Sequence, residues 1–157
     1  MEMKAYLIET FKYNNMMNKK VLEKIRKLPD KSECIRFFSH LINSQKKWLA
    51  RILQYPKDPG LDWWKPEYAL ENLESEWDTS LKDWLDFIKS KKEVQLFEEV
   101  KFIGFDRGHW TVPLKDIPLQ LNYHSIHHRA QIQLLIRKQG LEPDFVDYIG
   151  TVYKKLK

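Results

Sequence analysis

The stretch Tyr123-His124-Ser125-Ile126-His127-His128-Arg129-Ala130-Gln131 gathers three of the chain's five histidines within five residues. Four residues advance an α-helix by about 400° and about 6 Å, so His124 and His128 stack on one face. Two imidazoles at that spacing can grip one metal ion, as in the zinc-protease helix motif. That motif carries a glutamate directly after its first histidine as general base. Here the position is Ser125, and the protease reading fails.

A single histidine on an apolar helix face is ordinarily a core residue hydrogen-bonded to a neighbour. Two on one seam, a turn apart, are costlier to bury unpartnered, and a shared cation would satisfy both. His40, in the middle of another helical segment, is the candidate for a third nitrogen from across the fold. The spacing alone leaves a histidine network and a metal site both open. Three neutral imidazoles would leave an ion its full charge and an open position, which suits water activation or an anionic ligand such as a thiolate. His127 lies about 100° round the helix from His128 and is expected in an outer or surface role. His109, beside Trp110, is expected on a turn or strand surface. Cys34 faces away from His40 on their common helix and reads as a small core residue rather than a nucleophile.

The elements that must position these residues follow from apolar spacing. A first helix is predicted from about Met3 to Leu28, ended by Pro29-Asp30. Its seam is Leu7, Phe11, Asn14, Asn18, Val21, Ile25 and Leu28, at alternating spacings of four and three. The two asparagines in that seam need hydrogen-bond partners wherever they are buried. Asp30 followed by Glu33 resembles a capping box opening a second helix that runs to about Gln54. Its core face is Cys34, Phe38, Leu41, Gln45, Trp48 and Ile52. A loop at Tyr55–Asp62 precedes Trp63-Trp64. The third helix is predicted over about Tyr68 to Lys91, with Leu70, Leu73, Trp77, Leu81, Trp84 and Ile88 inward. Val100–Phe105 and His109–Val112 read as a β-hairpin whose turn conformation a glycine supplies. The fourth helix begins between Pro113 and Pro118 and ends at Gly140. Its predicted seam is Ile117, Leu121, His124, His128, Gln131 and Leu135. A short helix over Pro143–Ile149 closes the chain.

At 157 residues the chain suits one domain over 1–157 with a hydrophobic core of its own. Six tryptophans, seven tyrosines and eight phenylalanines suit the wide gaps between long helices, and five glycines argue against a sheet-dominated fold. One cysteine rules out an internal disulfide and every multi-cysteine metal site. The first residues have neither the apolar core of a signal peptide nor that of a membrane span, so a cytoplasmic protein with no membrane partner is expected. The net charge of +5 is spread among acidic residues without a stripe or recognition motif, which argues against nucleic acid as a partner.

Over nearly its whole length the sequence resembles the DinB superfamily, the DNA-damage-inducible, YfiT-like four-helix bundles. Phe11-Lys12-Tyr13-Asn14-Asn15-Met16-Met17-Asn18 is similar to that family's opening pattern of an aromatic, a Tyr-Asn pair and a second Asn. His40 stands as its mid-helix histidine, with an aromatic-rich stretch at Trp48-Leu49. His124 through Gln131 matches a His, two variable residues, then His-His-Arg-Gly-Gln, with Ala130 in place of the glycine. Gly140, Pro143 and Asp147 match its closing pattern. The resemblance implies an all-α four-helix bundle with a long crossover between helices two and three and a β-hairpin before helix four. It further implies a divalent metal ion (Zn, Ni or Fe) on His40, His124 and His128, and a homodimer. Related branches are metal-dependent enzymes using low-molecular-weight thiols, so a thiol S-transferase linked to stress or detoxification, taking a small thiol and an electrophile, is the leading expectation. A metal-dependent hydrolase and a non-catalytic dimer with a structural metal or histidine network are the alternatives.

Overall fold

The computed structural model describes residues 1–156. Four long helices dominate: α1 (Met3–Ile25), α2 (Ser32–Gln54), α3 (Leu73–Ser90) and α4 (Asp116–Lys138). A hairpin of β1 (Glu99–Ile103) and β2 (His109–Pro113) precedes α4, and a single-turn helix, α5 (Ile149–Val152), follows it. Among the described residues no helix is long and apolar enough to cross a membrane.

The four helices form a bundle in which α1 and α2 each pack against both α3 and α4. Side-chain contacts set their directions. Phe38 meets Trp77 and Gln45 meets Ser80, so α2 and α3 run the same way. Phe11 stacks on Trp84 while Arg26 pairs with Glu74, so α1 runs opposite to α3. Because α2 and α3 are parallel, residues 55–72 must travel back along the bundle to join them. This is the long crossover that the family resemblance implied. Ser39 and Asn43 of α2 fasten it: Ser39 Oγ accepts the Tyr68 N–H at 3.0 Å, and Asn43 Nδ2 donates to the Pro66 carbonyl at 3.0 Å. Both residues are buried, so the crossover's polar backbone is satisfied where water is excluded.

The α1 and α3 seams lie where the spacing placed them. Leu7, Phe11, Val21, Ile25 and Leu28 are buried, as are Leu73, Trp77, Leu81, Trp84 and Ile88. They fill two apolar clusters, one at each end of the bundle. A polar layer at mid-height separates them. There Asn14 and Asn18 of α1 meet Ser125 and Arg129 of α4, while Gln45 of α2 meets Ser80 of α3.

Several boundaries and caps differ from expectation, each for a local reason. The α1 helix ends at Ile25, three residues early, yet Leu28 still reaches the core from the turn. The Asp30–Glu33 capping box does not form. Asp30 Oδ1 instead accepts the Ser32 N–H and hydroxyl in a local turn, and the Asp30 N–H donates to Gln139 Oε1. The third helix begins at Leu73 rather than near Tyr68, preceded by a 3-10 turn at Leu70–Asn72, because Ser39 holds Tyr68 in the crossover. Residues 143–147 are not helical. The Asp144 and Val146 carbonyls accept from Gln133 and the Tyr13 hydroxyl, so that segment lies against the bundle without internal bonds.

The hairpin pairs Val100 with Val112 and Phe102 with Trp110. Its left-handed residue is Arg107 (φ 61°), not a glycine. The glycines serve space: a Cβ on Gly104 would lie 2.5 Å from Trp110 Cδ1, because that indole folds back over the turn to donate to Asp106.

The α4 seam keeps Ile117, Leu121 and His128 buried where the spacing placed them, but from its middle onward the core line is rotated. There Ser125, Arg129, Ile132 and Ile136, one residue on from the predicted seam, are the most buried. Arg129 forces this. Only 2% exposed, it donates to Asn14 Oδ1 at 2.8 Å, Asn18 Oδ1 at 2.6 Å and the Tyr13 hydroxyl at 3.1 Å. The Oδ1 atoms of the two α1 asparagines thus find their donor in a guanidinium. One residue is about 100° of helix rotation, so anchoring Arg129 toward α1 turns His124 and His128 toward α2.

Candidate metal centre

His40 stands in the middle of α2, facing the antiparallel α4. The His40 and His124 Nε2 atoms are 2.9 Å apart. Ring centroids are separated by 4.9 Å for His40–His124, 4.7 Å for His40–His128 and 4.4 Å for His124–His128. One ring nitrogen from each of the three lies within 4.8 Å of the others. Among the described residues this is the one group of three or more His, Cys, Asp or Glu side chains that converges in this way. An ion at about 2.0–2.1 Å from each nitrogen keeps its ligand atoms roughly 3 Å apart, so small rotations of these rings would close the set.

Hydrogen bonds on the far side of two rings determine which nitrogen faces inward. His40 Nδ1 lies 2.7 Å from the Trp63 carbonyl, which can only accept. His40 therefore carries its proton on Nδ1 and turns an Nε2 lone pair to the centre. His128 Nδ1 likewise donates to Gln131 Oε1 at 2.6 Å, which leaves its Nε2 free. Outer partners of this kind orient ligating imidazoles and raise their basicity toward a metal.

All three histidines are held neutral. Burial pushes His124 and His128 down to about 4, helped by the repulsion each would feel from neighbouring imidazolium charges. Burial lowers His40 too, with the positive charge of Arg36 adding to it, against the opposing effect of the Trp63 hydrogen bond. An uncharged imidazole is the form that binds metal. The donor set fits a divalent ion: three neutral nitrogens, two with fixed tautomers.

The crossover roofs the cluster. Trp64 stacks on His40 with centroids 3.9 Å apart and rings 10° from parallel, and Arg36 lies over the outer face of that indole. Phe37 stacks on His128 from the other side at 5.4 Å. Asp62 Oδ1 accepts the N–H groups of Trp64 and Lys65, which fixes the turn that delivers Trp63 and Trp64. The roof is incomplete. A hollow of about 250 Å³, lined by His40, Ser44, Trp48, Trp63, Gln120, Leu121 and His124, opens beside two of the three histidines.

The three residues expected from the sequence are therefore brought together, and the remaining candidates are not. His127 is exposed beside His128. His109 is an exposed strand residue whose Nδ1 meets the Tyr55 hydroxyl at 3.0 Å. Cys34 is buried in the apolar cluster, and burial pushes its thiol up to about 11, which removes it as a nucleophile. Spacing did not show Trp63, Trp64 and Gln131 as parts of the site. For Gln131 a signal existed, since a residue three after a helical histidine can reach its ring. For the tryptophans none did, because the crossover folds back over α2 only in three dimensions.

A family model described as the DinB family matches residues 1–155. No curated protein and no solved structure matches the chain.

Proposed function

The chain belongs to the DinB family, and from that membership and its converging imidazoles we propose that it binds a divalent metal ion through His40, His124 and His128. We further propose that it works as a metal-dependent transferase joining a low-molecular-weight thiol to an electrophile. The observation that carries this reading is the convergence of three neutral imidazoles beside an open hollow. A site built only for stability would more often be closed by a fourth protein ligand, and none of His, Cys, Asp or Glu converges with these three among the described residues.

The chemistry a bound ion would supply is acidity, since a thiol or water on a divalent metal ionises near neutral pH. The protein's own residues do the rest. The Trp63 carbonyl and Gln131 hold His40 and His128 in the ligating tautomer. Trp64 and Phe37 exclude water from the back of the cluster, and the hollow beside His124 leaves one approach for a small molecule. Zinc, nickel and iron all suit nitrogen ligands, and availability selects among them more than affinity does.

The competing reading is a non-catalytic histidine network. The 2.9 Å His40–His124 contact favours it, because one Nε2–H donating to the other satisfies both rings without an ion. Elemental analysis of untagged protein against His124→Ala separates the two. Stoichiometric metal lost in the variant supports the metal site, and equal metal content in both refutes it. A panel of small thiols against model electrophiles, run with metal-loaded protein, then tests the transferase; solvent-level rates throughout would leave metal-dependent hydrolysis to be assayed next.

Family membership also supports a homodimer. Tyr123, Ile126 and Leu134 make an exposed apolar stripe on α4, continued by Phe145 and Tyr148, and such stripes commonly mark interfaces. Light scattering during size-exclusion chromatography tests it: a monomer mass at micromolar concentration removes the dimer.

A further inference from the structure

Beyond the histidines, Trp48 and Trp63 also wall a second hollow of about 490 Å³, completed by Phe102, Phe105 and Trp110 of the hairpin region. Nearly all of this wall is aromatic. Its one charged member is Arg51. Arg51 as a residue is 6% exposed, and its guanidinium lies among three rings, its carbon 4.8 Å from the Trp63 centroid, 5.0 Å from Trp48 and 5.7 Å from Phe102.

The Arg51 side chain makes no hydrogen bond and no ion pair among the described residues, and its Nε is buried without a partner. The contrast with Arg129 is instructive. Arg129 is as deeply buried, but its NH1 and NH2 groups are engaged by Asn14, Asn18 and Tyr13. Buried charges are expected to be paired, and an unpaired one needs an explanation. Neighbouring charges do not provide it. Asp58 lies beyond ion-pair distance, and Lys47, 4.5 Å over the Trp63 ring, adds a second positive charge to the same end. Lys47 is itself engaged by the Leu61 carbonyl.

Position along α2 relates this cation to the histidines. Eleven residues separate His40 from Arg51, about 1100° of helix, so the two lie within about 20° of one face and about 16 Å apart along the axis. Ser44 and Trp48 stand between them, both lining the hollow at the histidines.

We propose that Arg51 is the anion-binding end of an elongated ligand site. The occupant is a small organic acid whose carboxylate or sulfonate pairs with the guanidinium. Its apolar body lies against Trp48, Trp63 and the hairpin aromatics, and its far end points toward the histidine cluster. The planar fork of arginine suits such an acid group, and aromatic walls raise the value of the pair by excluding water. This deepens the proposed function by naming the chemistry of the molecule that reaches the histidines. It rests on that reading only for the direction in which the ligand points, since pairing with Arg51 needs no metal.

The test is a fluorescence titration of the full chain with anilinonaphthalene sulfonate and with phenylnaphthylamine, the same ring system lacking the sulfonate. Both are run on zinc-loaded and on chelator-treated protein. Wild-type protein is expected to prefer the sulfonate by about tenfold or more. Arg51→Gln should abolish that preference while leaving the neutral probe within about twofold of wild type, and Arg51→Lys should retain part of it. A wild type with no preference, a preference that survives Arg51→Gln, or equal loss of both probes would overturn the proposal. If Arg51→Gln does not fold, competition on wild-type protein decides: phenylhexanoate must displace the probe about tenfold better than phenylhexanol, and equal displacement refutes the site. A preference present in chelator-treated protein supports the anion subsite whether or not the metal-dependent reaction is found.

Discussion

Gln131→Leu is the sharpest test of how the histidine cluster is built. In the folded protein Gln131 Oε1 accepts the His128 Nδ1 proton at 2.6 Å, and that bond fixes which nitrogen of His128 faces the centre. Leucine keeps the helix and roughly the volume but removes the acceptor. The His128 proton is then free to sit on Nε2, where it blocks the inward lone pair, and the ring loses its rotational restraint. Removing an outer partner of a ligating histidine typically costs 10–100-fold in metal affinity, or about 1.4–2.7 kcal/mol. Competition for zinc against a chromophoric chelator measures this directly on wild type, Gln131→Leu, Gln131→Glu and His128→Ala. The expected order of affinity is Gln131→Glu at or above wild type, then Gln131→Leu, then His128→Ala. If Gln131→Leu binds as wild type does while His128→Ala loses the ion, the hydrogen bond does not control the tautomer. If His128→Ala also binds as wild type does, His128 is not a ligand and the site is wrongly drawn.

Other predictions follow from the same contacts. Arg129→Met strips Asn14 Oδ1 of its donor and leaves Asn18 Oδ1 only the long contact from the Ser125 hydroxyl, and at about 1–3 kcal/mol for a buried acceptor left unpaired it should cost at least about 1–3 kcal/mol of stability; a urea midpoint equal to or above wild type would show the polar layer contributes nothing. In metal-free protein the folded-state pKa values of His124 and His128, about 4, lie below the ordinary 6.5. Their contribution to stability is therefore complete above pH 6.5 and lost as pH falls toward 4, on the order of 3 kcal/mol for each histidine at about 1.4 kcal/mol per pKa unit. Urea midpoints against pH should show that decline, and a His124→Gln, His128→Gln double variant with the same profile would assign it elsewhere. Trp64→Ala removes the ring stacked on His40, worth about 0.5–1.5 kcal/mol, so chelator should strip zinc faster from the variant; unchanged stripping would mean that the roof does not shield the cluster.

The sequence by itself carried the histidine cluster and the bundle. His124 and His128 one turn apart, His40 mid-helix and the four-three spacing of Leu7 through Leu28 are local patterns, and helix geometry turns each into a face. The asparagines in the α1 seam announced a buried polar partner without identifying it. Tertiary structure decided the rest. Arg129 reads as a surface residue in any local window, and only the packing of α1 on α4 brings Asn14, Asn18 and Tyr13 to its guanidinium and rotates the core line of α4 by one residue. Trp63 and Trp64 read as loop aromatics until parallel α2 and α3 oblige residues 55–72 to run back along the bundle, over His40. The unpaired charge of Arg51 is likewise invisible in sequence, because it is defined by the rings of the crossover and hairpin that enclose it. Spacing along one helix reports which residues share a face. Which face is turned inward, and what lies opposite, is set by the free energy of the whole packed bundle.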